Sequence, residues 1–243
     1  MSKKISLKQY LMQTGKFEKV YDCITAIKKG RLTLNNKIMS NPNYFFNPKK
    51  PIVKFDDEKI KKVIKLYFIM NKPAGYECQK SPSEKTIYEL LQKLNLPQES
   101  ANSLYAVGRL DRDTEGLLII TNDGKLSSMI LKPEHGIAKK YYAALEKIID
   151  ISKIKMLEKG ILIKINNESY KTKLCKIKIV GEKEVYISIS EGKKRQIRKM
   201  FEAIGNKIIY LRRVSIGGLQ LGNLKVGEIK QITKDEIMEK FNP

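Results

Sequence analysis

The sequence predicts an α+β protein, a small basic N-terminal module followed by a larger domain on a mixed sheet. Three observations carry this expectation. Two apolar runs, at 66–70 and 117–121, read as core strands; helical and strand-like segments follow one another without regular βαβ alternation; and the charge balance shifts near residue 60. The chain has 243 residues, more than one minimal domain needs. Its 42% hydrophobic content supplies a core, and its 30% charged content is far from the profile of a disordered chain. The expected boundaries are residues 1–60 and 61–243.

In the N-terminal module, Leu7, Tyr10 and Leu11 stand at i, i+3, i+4 spacing and predict a short helix. Val20, Cys23, Ile24 and Ile27 predict a second. Gly15 separates the two and Gly30 closes the second. Arg31 to Leu34 then alternates as a strand and meets a turn at Asn35-Asn36. Residues 1–62 carry 15 Lys and Arg against 5 Asp and Glu, nearly half of the excess in a chain whose formal charge is +22. That density favours RNA contact, with Lys28, Lys29 and Arg31 as candidates where the second helix gives way to the strand.

Asp56 to Lys62 reads as a linker. Leu66 to Met70 is a core strand that runs into Asn71-Lys72-Pro73-Ala74-Gly75, where Pro73 and Gly75 impose a turn. A second core strand, Leu117 to Thr121, ends at Asn122-Asp123-Gly124, with Asp123 placed to cap a helix through Leu131. Helices are expected at Ile151–Lys159 and Gln196–Ile204, and strands at Leu174–Val180 and Val185–Ser190. Thr233-Lys234-Asp235-Glu236 opens a final helix with a capping box. There is no internal repeat and no low-complexity tract.

Composition narrows the chemistry. A sequence pI of about 9.7 points to a polyanionic partner, and nucleic acid is favoured over membrane. No stretch approaches the roughly 18 apolar residues of a membrane span, and MSKKISLKQY has no apolar leader core or cleavage site, so a cytoplasmic protein is expected. Cys23, Cys78 and Cys175 form no CxxC pair, which fits a reducing compartment. The single histidine, His135, has no ligand-like neighbours and reads as an ordinary loop residue. Chemistry is left to carboxylates, Tyr, Lys and Arg.

The polar loop between Gly108 and the Leu117 strand, Arg109-Leu110-Asp111-Arg112-Asp113-Thr114-Glu115-Gly116, is the most informative stretch. Loops fixed by rigid strands display reactive groups. Arg109 and Arg112 would compete with a cation for Asp111 and Asp113, and no calcium-loop spacing follows. A carboxylate among arginines stays ionised and can act as nucleophile or base. Local chemistry leaves a purely structural ion-pair cluster equally open.

GRLDRDTEGLLIITNDG resembles the signature of the ribosomal RNA pseudouridine synthases, in the Rsu branch that carries an N-terminal S4-type RNA-binding domain. Residues 5–50 are similar to that RNA-binding domain, and Asn71 to Gly75 to the family's first motif. Lys139-Lys140-Tyr141 resembles its K-x-Y element, Glu191 to Met200 its last motif, and Ser215-Ile216-Gly217-Gly218-Leu219 the branch's usual ending. The matches fall in family order over nearly the whole chain. Ala106 departs from the proline many relatives carry, and the first module is Lys-rich where relatives often have Arg.

The resemblance implies an S4-like domain followed by a pseudouridine synthase domain, and assigns roles to matching positions. Asp111 corresponds to the catalytic aspartate, acting by attack on the sugar or by removal of a ribose proton. Tyr141 corresponds to the active-site tyrosine, stacking on a flipped-out uracil, while Tyr142 suits the core better because strand neighbours face opposite ways. Arg198 corresponds to the residue expected to pair with Asp111. Lys193, Lys194, Arg195, Lys199, Arg212 and Arg213 are candidate phosphate contacts, and Arg109 and Thr114 hold the loop or bind RNA backbone. Isomerisation implies no cofactor and no metal. The implied partner is ribosomal RNA or an assembling ribosomal subunit, with a monomer as the default. The form D-x-D-T-E-G-L and the Ile216–Leu219 ending favour a small-subunit uridine. A large-subunit uridine and a non-catalytic RNA-binding assembly factor are the competing readings; the presence of Asp111, Tyr141 and Arg198 together argues against the second.

Overall fold

In the computed structural model, which describes residues 4–81 and 85–241, the chain divides into two compact units. One comprises the residues up to Leu66 together with Leu91–Tyr105; the other comprises Tyr67–Leu90 and the chain from Ala106 onward. The first unit contains β1 (Ile5–Ser6), α1 (Leu7–Met12), α2 (Val20–Lys28), β2 (Leu32–Leu34), β3 (Lys37–Met39), β4 (Phe45–Phe46), β5 (Val53–Phe55) and β6 (Glu58–Lys59).

Ser6 and Gln9 form a reciprocal capping box that starts α1, which buries Leu7, Tyr10 and Leu11. The buried stripe of α2 is Cys23, Ala26 and Ile27; Val20, in its first turn, is 48% exposed and Ile24 only half-buried. Gly30, at φ +74°, closes α2 in a Schellman arrangement, with Gly30 N–H on Ile27 O and Arg31 N–H on Ala26 O. Gly15 does more than interrupt a helix. A Cβ there would sit 1.7 Å from the carbonyl oxygen of Glu99, so the close approach of 91–105 demands glycine.

Asn35 and Asn36 both take positive φ and join β2 to β3, as the turn signal predicted. The supposed linker at Asp56 is a correction. Asp56 and Asp57, at φ +49° and +64°, form the same two-residue turn between β5 and β6, with Phe55 opposite Glu58. Ile60 follows and is buried in this unit's core. Two adjacent aspartates with apolar neighbours therefore marked a hairpin, not a tether.

The second unit is built on β7 (Tyr67–Lys72), α3 (Ile87–Leu91), then, past the first unit's α4 (Gln98–Ser103), on β8 (Tyr105–Val107), β9 (Glu115–Thr121), α5 (Gly124–Leu131), β10 (Lys139–Leu145), α6 (Ile151–Glu158), β11 (Leu162–Ile165) and β12 (Glu168–Lys171). It continues through β13 (Lys176–Gly181), β14 (Glu184–Ile189), α7 (Gln196–Ala203), β15 (Ile208–Ile216), β16 (Leu219–Gln220), β17 (Ile229–Gln231) and α8 (Lys234–Glu239). The main path of the sheet runs β13-β14-β10-β15-β9-β7-β17, with β8 beside β9 and β16 beside β15. β9 and β15 run parallel while β7–β9, β10–β15 and β10–β14 are antiparallel, so the sheet is mixed as expected. All six residues of β7 are buried, which is why its sequence reads as a continuous run rather than an alternation.

Asp123 caps α5 and Thr233 opens α8 with its capping box, both as the sequence predicts. β7, however, continues through Asn71 and Lys72, so the turn begins only at Pro73. The hairpin β11–β12 was not foreseen; it turns on Asn166 and Asn167, again both at positive φ.

Candidate active site

A cavity of about 470 Å³ opens where the 108–114 loop meets β10 and the start of α7. That volume lies within the roughly 300–1,000 Å³ that encloses a small ligand. Asp111 and Thr114 line it from the loop, Tyr141 from β10, Arg195 and Arg198 from the start of α7, and Leu211 from β15. Pairing explains the opening. β9 and β15 share two register positions, Glu115 with Arg212 and Gly116 with Arg213, and the loop precedes them.

The loop is held from below by the end of β7 and the turn that follows it at Pro73. Lys72, at the end of β7, is fully buried, and its Nζ donates to the carbonyls of Pro73 at 2.9 Å, Asp111 at 3.2 Å, Arg112 at 3.2 Å and Thr114 at 2.9 Å. Burial pushes the pKa of this ammonium down. Gly75 N–H donates to Arg112 O at 2.7 Å, and Arg112 Nε donates back to Gly75 O at 3.3 Å. Cys78 completes the support: its Sγ lies 3.4 Å from both the nitrogen and the oxygen of Leu110.

The arginines converge on Asp113. Arg195 contacts its two carboxylate oxygens at 3.3 and 3.2 Å. Arg198 Nη2 lies 3.2 Å from Asp113 Oδ2 and donates to Asp113 O at 3.2 Å, while Nη1 donates to Ile208 O at 3.1 Å. The expected pairing of Arg198 with Asp111 is therefore corrected to Asp113. Burial opposes the charge of Arg195, but the hydrogen bonds and charge of Asp113, together with the charge of Asp111, outweigh it and raise its pKa. Arg195 enters α7 at φ +52°, a left-handed conformation uncommon for any residue but glycine. Asp111, half-buried, lines the cavity while Asp113 takes the arginines.

Residues 66–203 match the family described as RNA pseudouridylate synthase. The chain belongs to that family. It is an isomerase acting on RNA. An Aquifex aeolicus (strain VF5) protein named as an uncharacterized RNA pseudouridine synthase is 34% identical over 222 residues, covering 88% of this chain and 85% of its own length. The ribosomal small subunit pseudouridine synthase A of Escherichia coli (strain K12) is 32% identical over 213 residues, covering 87% and 89%. A crystal structure of a pseudouridylate synthase superposes with a TM-score of 0.69 at 30% identity over 98% of this chain and 99% of that one.

In this pseudouridylate synthase, Tyr141 is buried and lines the cavity, while Tyr142 points to the other face of the sheet. There Tyr142 is half-buried and meets Tyr186 and Tyr210 at ring-centroid distances of 5.6 and 6.0 Å, an aromatic cluster rather than the core position expected of it. Thr114 is 2% exposed and its buried hydroxyl has no partner. Arg109, Lys193 and Lys194 line the cavity and are exposed. Lys199 instead donates to Lys164 O on β11 and does not line it. In the first unit, Lys28 and Lys29 are exposed, whereas Arg31 is committed to Asp56 through Nε at 2.8 Å and a second contact, with its guanidinium 4.6 Å from the Phe55 ring centre.

The sequence reading did not single out Cys78, gave Lys72 no role beyond its place in the first motif, and weighed Asp113 only as a metal ligand or ion-pair member beside Asp111. A lysine within an otherwise buried strand was the one available signal for Lys72, since such a residue must be saturated with acceptors. Among the described residues no cluster of His, Cys, Asp and Glu could hold a metal ion, and no helix is long and apolar enough to cross a membrane.

Proposed function

We propose that the synthase converts one uridine of small-subunit ribosomal RNA to pseudouridine, with Asp111 as its catalytic carboxylate, Tyr141 packed against the uracil and Arg198 holding the loop through Asp113. One observation carries the reading: of the two loop carboxylates, Asp113 is occupied by Arg195 and Arg198, and Asp111 remains at the cavity wall beside Tyr141. The reaction breaks the bond from ribose C1′ to uracil N1 and forms one from C1′ to C5. The C5 proton leaves and N1 gains one, so nothing is oxidised and no group donor is consumed. The carboxylate acts on the sugar, and an aromatic wall lets the freed ring turn in its own plane without escaping. Extruding a base costs a few kcal/mol, which contacts to the RNA backbone must offset. The first unit, with exposed Lys28 and Lys29, serves as the S4-like RNA-binding domain in this reading. The small-subunit target is supported by the name of the Escherichia coli relative. The protein works on RNA in the cytoplasm as a monomer.

The decisive experiment maps pseudouridine on unmodified small- and large-subunit ribosomal RNA incubated with the protein or with Asp111→Asn. A single new pseudouridine in the small-subunit RNA is expected from the unaltered protein. None is expected from the variant, whose RNA affinity should stay within a few-fold. Modification of large-subunit RNA alone would move the target, and equal loss of binding and activity would remove Asp111 from the chemistry.

A further inference from the structure

Next to the Asp111 cavity lies a second one of about 400 Å³, and the two share Arg109, Tyr141 and Lys193 as walls. Its lining is strongly cationic, with Lys139, Lys173 and Arg213 added to Arg109 and Lys193, against a single carboxylate, Glu191. That carboxylate is already engaged: it accepts from the Tyr170 hydroxyl, from Lys173 N–H at 2.9 Å and from Gln196 Nε2 at 2.5 Å.

Arg213 is the telling residue. It is 2% exposed, its Nε donates to Leu117 O at 2.7 Å, and its Nη2 is buried with no partner. A charged donor left unsatisfied in the interior is costly unless something fills the place. On the neighbouring strand, Lys139 donates from Nζ to Ile137 O at 3.1 Å. Burial and the adjacent charge of Arg213 both push its pKa down, so the fold holds two mutually repelling cations side by side. Lys139 pairs with Ile216 and Tyr141 with Arg213 across a bulge that skips Val214, and Lys139 and Arg213 both line this cavity. Two cations with an orphaned N–H form a receptor for a tetrahedral oxyanion.

We propose that this cavity binds one backbone phosphate of the RNA, immediately next to the nucleotide whose base occupies the Asp111–Tyr141 cavity, through Arg213 and Lys139. The inference deepens the reading above and rests on it. A phosphodiester is favoured over a free anion because the two cavities share the Tyr141 wall, so a strand delivering a base to one passes its backbone across the other. Gripping the backbone there would offset the unstacking of the target base.

The test uses an oligoribonucleotide around the mapped uridine, with a neutral methylphosphonate placed at one linkage at a time. With the unaltered protein, substitution at a linkage flanking the uridine should lower kcat/KM at least tenfold. With Lys139→Met, which alters a half-buried side chain at the start of a strand, the same substitution should cost at least threefold less than in the unaltered protein, since one of the two cations that meet the phosphate is already absent and only Arg213 remains. Equal penalties in both proteins, or none at any flanking linkage, would overturn the proposal. A second arm needs no turnover. The slope of log affinity against log salt for an oligouridylate should fall in magnitude by about 0.7 in Lys139→Met, one phosphate on a single strand. An unchanged slope would count against the subsite. If the protein binds the RNA but never isomerises it, the catalytic reading fails while the slope still decides the subsite. Inhibition by millimolar inorganic phosphate without any linkage effect would assign the cavity to a free anion and remove the RNA from it.

Discussion

Lys72 illustrates how one buried charge organises a reactive loop. Its ammonium gathers four carbonyls, three of them from the Asp111–Thr114 segment, so the backbone that presents Asp111 is fixed by a side chain from another strand. Replacing it with Met removes every one of these donors. A stranded buried acceptor costs roughly 1–3 kcal/mol and three of the four bonds are only partly buried, so Lys72→Met should lose about 3 kcal/mol in urea denaturation. A loss below about 0.5 kcal/mol would mean the loop does not depend on the lysine. The pH sign follows from burial. The folded-state pKa lies below the ordinary lysine value of 10.5, so the unfolded chain binds more protons between the two. This group's contribution therefore rises as pH climbs towards 10.5, and falls away as pH drops through the folded pKa. The variant should lack that alkaline rise.

At the scale of elements, the entry to α7 couples shape to charge. Arg195 takes a left-handed backbone conformation at the helix N-cap, and its side chain reaches Asp113 in the loop. That conformation costs a non-glycine residue about 1 kcal/mol or more, while a half-exposed ion pair offsets at most about 1 kcal/mol. Arg195→Gly should therefore be more stable than Arg195→Ala by about 1 kcal/mol in thermal or urea unfolding. Both variants should lose severalfold in modification rate, because Arg198 alone is left to bridge the start of α7 to the loop. Equal stability of the two would show that the backbone strain is absent. The hairpins teach a related lesson. Asn35-Asn36, Asp56-Asp57 and Asn166-Asn167 are the same physical device, a pair of residues tolerant of positive φ, yet only the first stood out against clear alternation. The second was obscured by the lysines that follow it, and the third by a short, exposed pair of strands that buries little.

For the whole molecule, the chain's +22 charge has a division of labour. Cations line the two adjoining cavities of the larger unit, and Lys28 and Lys29 stand exposed at the end of α2 in the smaller one. Charge reversal of the pair, Lys28→Glu with Lys29→Glu, should leave the melting temperature nearly unchanged because both are solvated. RNA affinity should fall, and the slope of log affinity against log salt should shrink by roughly 0.7–0.9 for each phosphate no longer neutralised. An unaltered slope would remove this end of α2 from the RNA-binding surface. Charge reversal is a cleaner probe than deleting residues 1–60, since Leu91–Tyr105 belongs to the same compact unit and would lose its packing partner at Gly15.

By itself the sequence determined the α+β class, the helix starts at Asp123 and Thr233, the core strands and the loop that holds Asp111, because caps, turns and apolar runs are local and leave local signatures. Order of motifs along the chain was enough to indicate the family. Only the tertiary structure decided that Arg198 pairs with Asp113, that Lys72 holds the loop, that Leu91–Tyr105 returns to the first unit, and that Arg213 and Lys139 line one cavity. Each of these joins residues tens of positions apart through strand register or burial. An ion pair or a saturated lysine depends on where a side chain ends in space, and spacing along one strand does not encode that position.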